Sequence, residues 1–194
     1  MLAQTTSPGI IGDYYLSGVR ETASGFRLNT DSTFEFFFSQ GALDRHGKGH
    51  YKCTKDSISF SSDLVHSNDF ALLSSKNQPG NQTVIRIVDP NEHLLQYVFI
   101  RVKTGNETKE GFADSKGYFK CDGNDPVLIE LMFEFCPEKI TSITIPPGKH
   151  NYFEFKFEPW LFEYFFTGFS LRIDGSQLTG GHPLLKGTTF IYSK

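Results

Sequence analysis

Alternation of apolar and polar residues across the first sixty positions constrains the fold of this chain more than any other feature. In the run TFEFFFSQ, which begins at Thr33, every second residue is a phenylalanine, whereas Glu35 and Ser39 occupy the opposite parity. A period of two residues is that of a β-strand with one buried and one solvated face. Phe37 is the exception, because its ring falls on the polar parity.

Neighbouring runs repeat this pattern. Apolar residues alternate with polar ones in three further segments, at Phe26 and Leu28, at Tyr51 and Cys53, and at Ile58 and Phe60. Short polar connectors at 30–32 and 55–56 are typical of the turns that join hairpins. We therefore predict an antiparallel meander that curls like a partial barrel.

Alternation resumes after a polar stretch in the middle of the chain. Residues 61–82 contain the turn signal NQPG and one short apolar run, which indicates a domain boundary or a change of sheet. Beyond them apolar residues alternate again, most regularly in Val127–Phe135. No segment has a clear helical period. The sequence therefore predicts an all-β protein, with an antiparallel β-meander domain at 10–75 followed by a β-sandwich-like domain at 82–194.

Composition and charge exclude several classes of function. The chain has 194 residues and a formal net charge of −3, and its lysines and arginines are dispersed, so it lacks the basic stripe of a nucleic-acid-binding protein. No apolar run approaches the length of a membrane-spanning helix. The sequence contains no nucleophile elbow, phosphate loop or paired metal motif. We therefore expect no nucleic acid partner, no membrane span and no cofactor.

The N-terminus leaves two localisations open. The start MLAQTTSPGIIG has neither the charged beginning nor the apolar core of a signal peptide, which predicts a cytoplasmic protein if Met1 is native. The run LAQ followed by Thr, Ser and Pro also resembles the start of a mature exported or periplasmic chain after removal of a signal peptide. Export would allow two of the three cysteines, Cys53, Cys121 and Cys136, to pair; otherwise all three are expected to be buried or inert thiols.

Histidines in the fourth predicted strand raise the question of a metal site. His46 and His50, with Asp44 nearby, lie on one side of an extended strand, which is one way to present metal ligands. The same side carries Lys48 and Lys52, whose positive charges would repel a divalent cation. We interpret this side as a solvated face and predict no metal site. The remaining histidines stand singly in loops or near strand ends, where surface positions are expected: His66, His93, His150 and His182.

Two segments resemble known β-sheet families. Within residues 84–135, the run DSKGYF beginning at Asp114 is similar to the D-x-x-G-x-F hairpin of carboxypeptidase-regulatory and transthyretin-like sandwich modules, and VDPN stands where the earlier turn of those modules lies. Residues 12–60, with GDY and GHY at the starts of strands, resemble the meanders of lipocalin-like small barrels. Both resemblances imply a binding or scaffolding role and supply no catalytic residues.

Three carboxylates of the first block give an alternative, catalytic hypothesis. Glu21, Glu35 and Asp44 would point toward a shared mouth if the meander curls. Paired carboxylates can serve as acid and base when their surroundings separate their pKa values. The alternative is therefore a hydrolase that uses these carboxylates, whereas polar residues on an exposed sheet face produce the same pattern without catalysis.

The densest apolar feature is the aromatic segment, residues 157–169. Here the alternation fails: Trp160, Phe162, Tyr164 and Phe166 share one parity, while further apolar residues occupy the other. One interpretation is a strand or turn packed on two sides, and a helix beginning at Pro159 is also allowed. The other is an exposed aromatic ridge that binds an apolar ligand, a second subunit or a protein partner.

These observations favour a non-enzymatic β-rich binding or protein-interaction module over an enzyme. The fold-level resemblances point the same way, although a fold does not determine a function. The four aromatic residues of the segment are the predicted binding site, and the chemistry of the ligand is left open.

Overall fold

The computed structural model describes residues 9–105, 107–146 and 150–194 of the chain. Strands make up 57% of the structure and helix only 3%, which confirms the predicted all-β class. The described helix is the short 3₁₀ segment Glu92–Tyr97. In chain order the strands are β1 Gly12–Ser17, β2 Thr22–Leu28, β3 Thr33–Gln40, β4 Leu43–Cys53, β5 Ser57–Ser61, β6 Phe70–Lys76, β7 Gln82–Val88, β8 Val98–Thr104, β9 Glu107–Phe112, β10 Tyr118–Asp122, β11 Pro126–Phe133, β12 Thr141–Thr144, β13 Tyr152–Phe157, β14 Thr167–Asp174, β15 Gln177–Gly180 and β16 Phe190–Ser193.

The described chain forms two compact units. The first contains the residues up to Val65 together with Phe162–Lys194, and the second contains His66–Leu161. The predicted domains at 10–75 and 82–194 differ from this division, because strands after residue 161 return to the first unit. The N-terminal run on which the exported alternative rests lies outside the described residues.

The first unit is a closed barrel of eight strands in the order β1-β16-β15-β14-β5-β4-β3-β2. Strands β1 to β5 pair with their sequence neighbours in antiparallel fashion, as the meander predicts. The barrel is complete rather than partial, because β14 pairs with β5 and β16 pairs with β1. Closure leaves no strand of this sheet with an unpaired edge.

Aromatic side chains fill the interior of the barrel. Phe26 stacks on Phe60 with ring centroids 4.6 Å apart, and Phe166 packs edge-to-face against Phe34 at 5.0 Å. An eight-stranded barrel has an interior that side chains can fill completely. The parity prediction for the meander is confirmed by the residues that line this core, namely Phe26, Leu28, Phe34, Phe36, Phe38, Tyr51, Ile58 and Phe60.

The second unit consists of two four-stranded sheets, in the orders β10-β7-β13-β6 and β12-β11-β8-β9. Their apolar faces pack together, with Phe133 of β11 and Phe157 of β13 in ring contact at 5.3 Å. All pairings are antiparallel except that of β7 with β13. This arrangement is a β-sandwich, as predicted for the second part of the chain.

The turn that resembles the D-x-x-G-x-F hairpin is present, but it does not close a hairpin. The Asp114 carboxylate accepts hydrogen bonds from the backbone N–H groups of Lys116 and Tyr118, at 2.9 and 2.8 Å. Gly117 takes a φ of 79°, which its missing side chain permits. The strands on either side, β9 and β10, belong to different sheets, so the turn carries the chain from one sheet to the other.

Candidate functional site

A row of alternating charges crosses the outer face of the barrel on four neighbouring strands. Asp13, Arg27, Glu35 and Lys48 are consecutive cross-strand partners on β1, β2, β3 and β4. Arg27 donates two hydrogen bonds to the Asp13 carboxylate, at 2.8 and 3.3 Å. The hydrogen bond from Arg27 lowers the pKa of the Asp13 carboxyl below its usual value. We call these four residues the charged row.

An aromatic row lies directly beside the charged row. It consists of the residues that lie two positions from the charged row on each strand and are themselves cross-strand partners: Tyr15, Gly25, Phe37 and His46. Alternate residues of a strand point to the same face, so the side chains of Tyr15, Phe37 and His46 share the outer face with the charged row. Tyr15 is 52% exposed and Phe37 is 39% exposed. Their rings meet edge-to-face with centroids 6.1 Å apart. Two aromatic rings are therefore presented to solvent on the polar side of the sheet.

Gly25 allows the Phe37 ring to lie against the strand. A Cβ atom at position 25 would stand 2.8 Å from Cε1 of Phe37 and 2.3 Å from the backbone oxygen of Tyr14. Only glycine fits beneath the ring without displacing the backbone. The lack of a side chain at Gly25, in the middle of the aromatic row, thus makes room for the Phe37 ring.

The two rows enclose a groove of about 330 Å³, which we call the outer groove. Its lining combines exposed aromatic rings with carboxylates, a guanidinium and an imidazole; the residues are Asp13, Tyr15, Arg27, Glu35, Phe37 and His46, together with Phe26 and Phe36, which also border the groove and belong to the barrel core. Binding sites typically combine apolar surface with a few polar groups in this way. The arrangement can stack a flat apolar surface on the rings while forming hydrogen bonds to the charged row.

The sequence contained one signal for this groove. Phe37 breaks the alternation of its strand, and the ring that breaks the pattern is the one exposed in the groove. Tyr15 and Arg27 gave no comparable signal, because each is ordinary for its position along its own strand. Their approach to Phe37 and to each other depends on the register between strands, which the sequence pattern does not give.

The predicted catalytic carboxylates are not brought together. Glu35 lies in the charged row, whereas Asp44 is paired with Ser39, four residues further along β3. This separation corresponds to about 14 Å along the strand. Glu21 stands in the turn before β2 and is exposed to solvent. Of the three carboxylates, Glu35 lines the outer groove, whereas Glu21 and Asp44 are absent from its lining.

The outer side of β4 is solvated, as its alternation predicts. Asp44, His46, Lys48 and His50 are all exposed, and Nδ1 of His50 lies 2.7 Å from a carboxylate oxygen of Asp63. Among residues 9–105, 107–146 and 150–194, no group of three or more His, Cys, Asp and Glu side chains is placed to hold a metal ion. Cys53, Cys121 and Cys136 form no disulfide bonds with one another.

Most of the aromatic segment is packed rather than exposed. Phe166 is buried in the barrel core, and Phe162 and Tyr164 are half-buried. The backbone N–H of Tyr164 donates to the carbonyl oxygen of His46 at 2.7 Å, which attaches the segment to β4. A Cβ at Gly47 would lie 2.8 Å from the Phe166 ring, so this glycine provides the space in which the ring packs. Phe162, Tyr164 and Phe166 therefore fit the interpretation in which the segment is packed on two sides.

Trp160 lies in the second unit, apart from the other three predicted aromatic residues. Its indole N–H donates to the backbone oxygen of Asn68 at 2.8 Å, and its ring stacks on His66 with centroids 3.8 Å apart. A second groove, of about 340 Å³, adjoins this pair. Residues 159–162 form turns and Glu163 makes an isolated β-bridge with His46, so no helix begins at Pro159. The four predicted residues are therefore divided between the two units.

A buried serine and histidine stand close together in the barrel, but their hydrogen bonds have the wrong direction for catalysis. Nε2 of His182 lies 3.1 Å from Oγ of Ser24, while Nδ1 accepts from the backbone of Leu184 and Leu185. The proton of this neutral imidazole therefore lies on Nε2 and points at the serine. A catalytic base must instead accept the hydroxyl proton. The Ser24 hydroxyl donates to the backbone oxygen of Phe37 at 2.8 Å.

Comparison with known proteins gives no match: no family model, no curated protein and no solved structure matches this chain. Within the residues that the structure describes, no helix has the length and apolar character needed to cross a membrane. The assignment of a function therefore depends on the geometry of the grooves themselves.

Proposed function

We propose that this protein is a non-enzymatic binding module whose ligand occupies the outer groove of the barrel. The observation that carries the proposal is the pair of exposed rings, Tyr15 and Phe37, held beside a row of paired charges. Exposed apolar surface bordered by polar residues is typical of contact sites on proteins. Aromatic side chains fill the interior of the barrel, which supports a site on the outer face rather than inside it.

The groove has the features of a site that is formed before the ligand arrives. Gly25 fixes the Phe37 ring from below, and the Asp13 contact fixes the Arg27 guanidinium beside it. A preformed site loses less conformational entropy on binding than one that must be ordered. The proposal concerns binding alone.

Nuclear magnetic resonance titration with three small probes tests this proposal. Methyl glucoside, glycine betaine and benzoate represent a neutral polyol, a cation and an anion. We expect at least one probe to shift the backbone amides of Tyr15, Arg27 and Phe37 at lower concentration than any other barrel amide. Phe37→Ala should remove the shifts. Phe112→Ala is the matched control, because Phe112 is 50% exposed and lies outside the groove.

The absence of localised shifts with all three probes would contradict the proposal. A second contrary result would be shifts that survive Phe37→Ala unchanged in a variant whose circular dichroism shows a native fold. Either result would show that the exposed rings form no binding surface.

A further inference from the structure

The charged row as a whole is electrically balanced, with Lys48 beside the groove rather than in its lining, and this selects against charged ligands. Two carboxylates, of Asp13 and Glu35, alternate with the cations of Arg27 and Lys48. An anion near Arg27 would face a carboxylate on each neighbouring strand, and a cation near Glu35 would face a cation on each side. Like charges in such positions are destabilising. A neutral ligand avoids both penalties.

The same row selects against a purely apolar ligand. Covering the Arg27–Asp13 pair and Glu35 with hydrocarbon would remove water from charged groups without replacing its hydrogen bonds, which is costly. A ligand with many hydroxyl groups can instead donate to the carboxylates and accept from the guanidinium. Hydrogen bonds to charged groups are stronger than those between neutral groups.

The aromatic row supplies the second requirement, a flat apolar surface. The Phe37 ring lies against Gly25 and is 39% exposed, and Tyr15 meets it edge-to-face at 61°, so each ring presents its own apolar surface to the groove. A sugar ring has an apolar face of C–H groups and an edge of hydroxyls, and it is uncharged. Its two surfaces match the two rows of the outer groove.

The closed sheet disfavours an extended peptide in the same place. A peptide gains most by adding as a strand to an exposed sheet edge. Strands β1 to β4 are each paired on both sides within the barrel, so their main-chain groups are already satisfied. A peptide on this face would leave much of its own main chain without partners.

Building on the proposed function, we infer that the outer groove binds a neutral carbohydrate chain that lies across strands β1 to β4. Three strand spacings separate β1 from β4, which gives a contact length of about 14 Å. This length suits several consecutive sugar rings. The sugar rings would stack on Phe37 and Tyr15. Their hydroxyl groups would form hydrogen bonds with Asp13, Arg27 and Glu35.

The test is a titration of the chain with defined hexasaccharides, followed by backbone amide shifts and calorimetry. The neutral probes are maltohexaose, cellohexaose, laminarihexaose, mannohexaose and xylohexaose. Hexagalacturonate is the anionic probe, and a capped uncharged hexapeptide of serine and phenylalanine is the peptide probe. We expect saturable shifts at Tyr15, Arg27 and Phe37 with at least one neutral hexasaccharide. Its affinity should change little with added salt, because no net charge is neutralised.

Variants of the aromatic row separate stacking from general surface effects. Phe37→Ala and Tyr15→Ala should each weaken binding by about tenfold, which corresponds to the loss of about 1.4 kcal/mol of ring contact. Phe37→Tyr keeps a ring and should stay within about threefold of the parent chain. The control Phe112→Ala should bind as the parent chain does.

The outcomes distinguish the inference from the proposed function. If betaine, benzoate, hexagalacturonate or the peptide shifts the groove amides and no neutral saccharide does, the carbohydrate inference is wrong and the binding function stands. If a neutral hexasaccharide binds but shifts amides elsewhere, the assignment to this groove is wrong. If no probe shifts the groove amides, both are wrong.

Discussion

Nε2 of His182 lies 3.1 Å from the hydroxyl oxygen of Ser24, on the opposite side of the imidazole from two backbone N–H groups that donate to Nδ1. A second proton on this ring would have to lie on Nδ1, where it would face those two donors. Burial lowers the pKa of His182 from its usual 6.5 to about 4. The native barrel therefore holds this histidine in its neutral form.

This contact predicts a pH dependence of the stability of the barrel. Between pH 6.5 and 4 the unfolded chain binds a proton at His182 that the native state does not bind. The stability that the neutral His182 contributes is therefore complete above pH 6.5 and is lost as the pH falls toward 4. The pKa difference corresponds to about 3 kcal/mol in the free energy of unfolding. Urea unfolding at a series of pH values measures it. His182→Gln should abolish this part of the pH dependence.

His93→Gln provides the matched control for that experiment. His93 is exposed in the 3₁₀ helix before β8, and its substitution leaves His182 in place, so the loss of stability between pH 6.5 and 4 should persist in this variant. An identical profile for the parent chain and His182→Gln, with the fold of the variant intact by circular dichroism, would contradict the neutral buried state.

Two buried tyrosines should respond differently to removal of their hydroxyl groups. The Tyr51 hydroxyl donates to the backbone oxygen of Asn29 at 2.7 Å, whereas the Tyr192 hydroxyl is buried with no hydrogen-bond partner among the described residues. We expect Tyr51→Phe to lower the free energy of unfolding by about 1 kcal/mol and Tyr192→Phe to leave it unchanged or raise it. Chemical denaturation measures both. A comparable loss in the two variants would indicate a bound water at Tyr192.

Gly25 should tolerate no side chain. Gly25→Ala places a Cβ atom 2.3 Å from the backbone oxygen of Tyr14, which cannot move without disturbing the pairing of β1 with β2. We expect a loss of at least about 2 kcal/mol in the free energy of unfolding. Gly9→Ala, where a Cβ would meet nothing within 4 Å, should stay within about 0.5 kcal/mol. Equal free energies of unfolding for Gly25→Ala and Gly9→Ala would contradict this prediction, because they would show that β1 and β2 accommodate the Cβ atom without loss of stability.

Adjacent phenylalanines on β3 offer the most direct test of the face assignment. Phe36 is 2% exposed and belongs to the barrel core, whereas Phe37 faces the outer groove. We expect Phe36→Ala to lower the free energy of unfolding by about 3–5 kcal/mol. Phe37→Ala should lower it by less than about 1 kcal/mol. Thermal or chemical unfolding of the two variants decides the matter, and a reversed order would invert the face assignment.

The sequence predicted those parts of the fold that depend on neighbouring residues. The period of two in β2, β3 and β5 correctly separated core from surface, because alternate side chains of a strand point to opposite faces. Barrel closure was not predictable in this way. It depends on pairings such as Tyr15 with Ser193, which lie at opposite ends of the described chain and leave no local pattern.

The candidate site was less accessible to sequence reasoning than the fold. Phe37 was marked by its parity, but the groove needs Tyr15 and Arg27 from two other strands. His182 was expected at the surface because it stands alone near a strand end, yet it contacts Ser24, 158 positions earlier in the chain. In the aromatic segment the failure of alternation reflected residues divided between two units, with Phe166 in the barrel core and Trp160 in the other unit.

The insertion of His66–Leu161 between β5 and β14 has a consequence for biosynthesis. Strands β1 to β5 leave the ribosome about a hundred residues before β14, and until then β1 and β5 are open edges that invite pairing with other chains. Every strand pairing of the inserted unit lies within its own sequence, so this unit is complete before the barrel can close. Nascent chains are therefore most prone to aggregation while the inserted unit and β14 to β16 are still being translated. A chain truncated just before β14 would keep the open edges of β1 and β5 and would remain prone to aggregation.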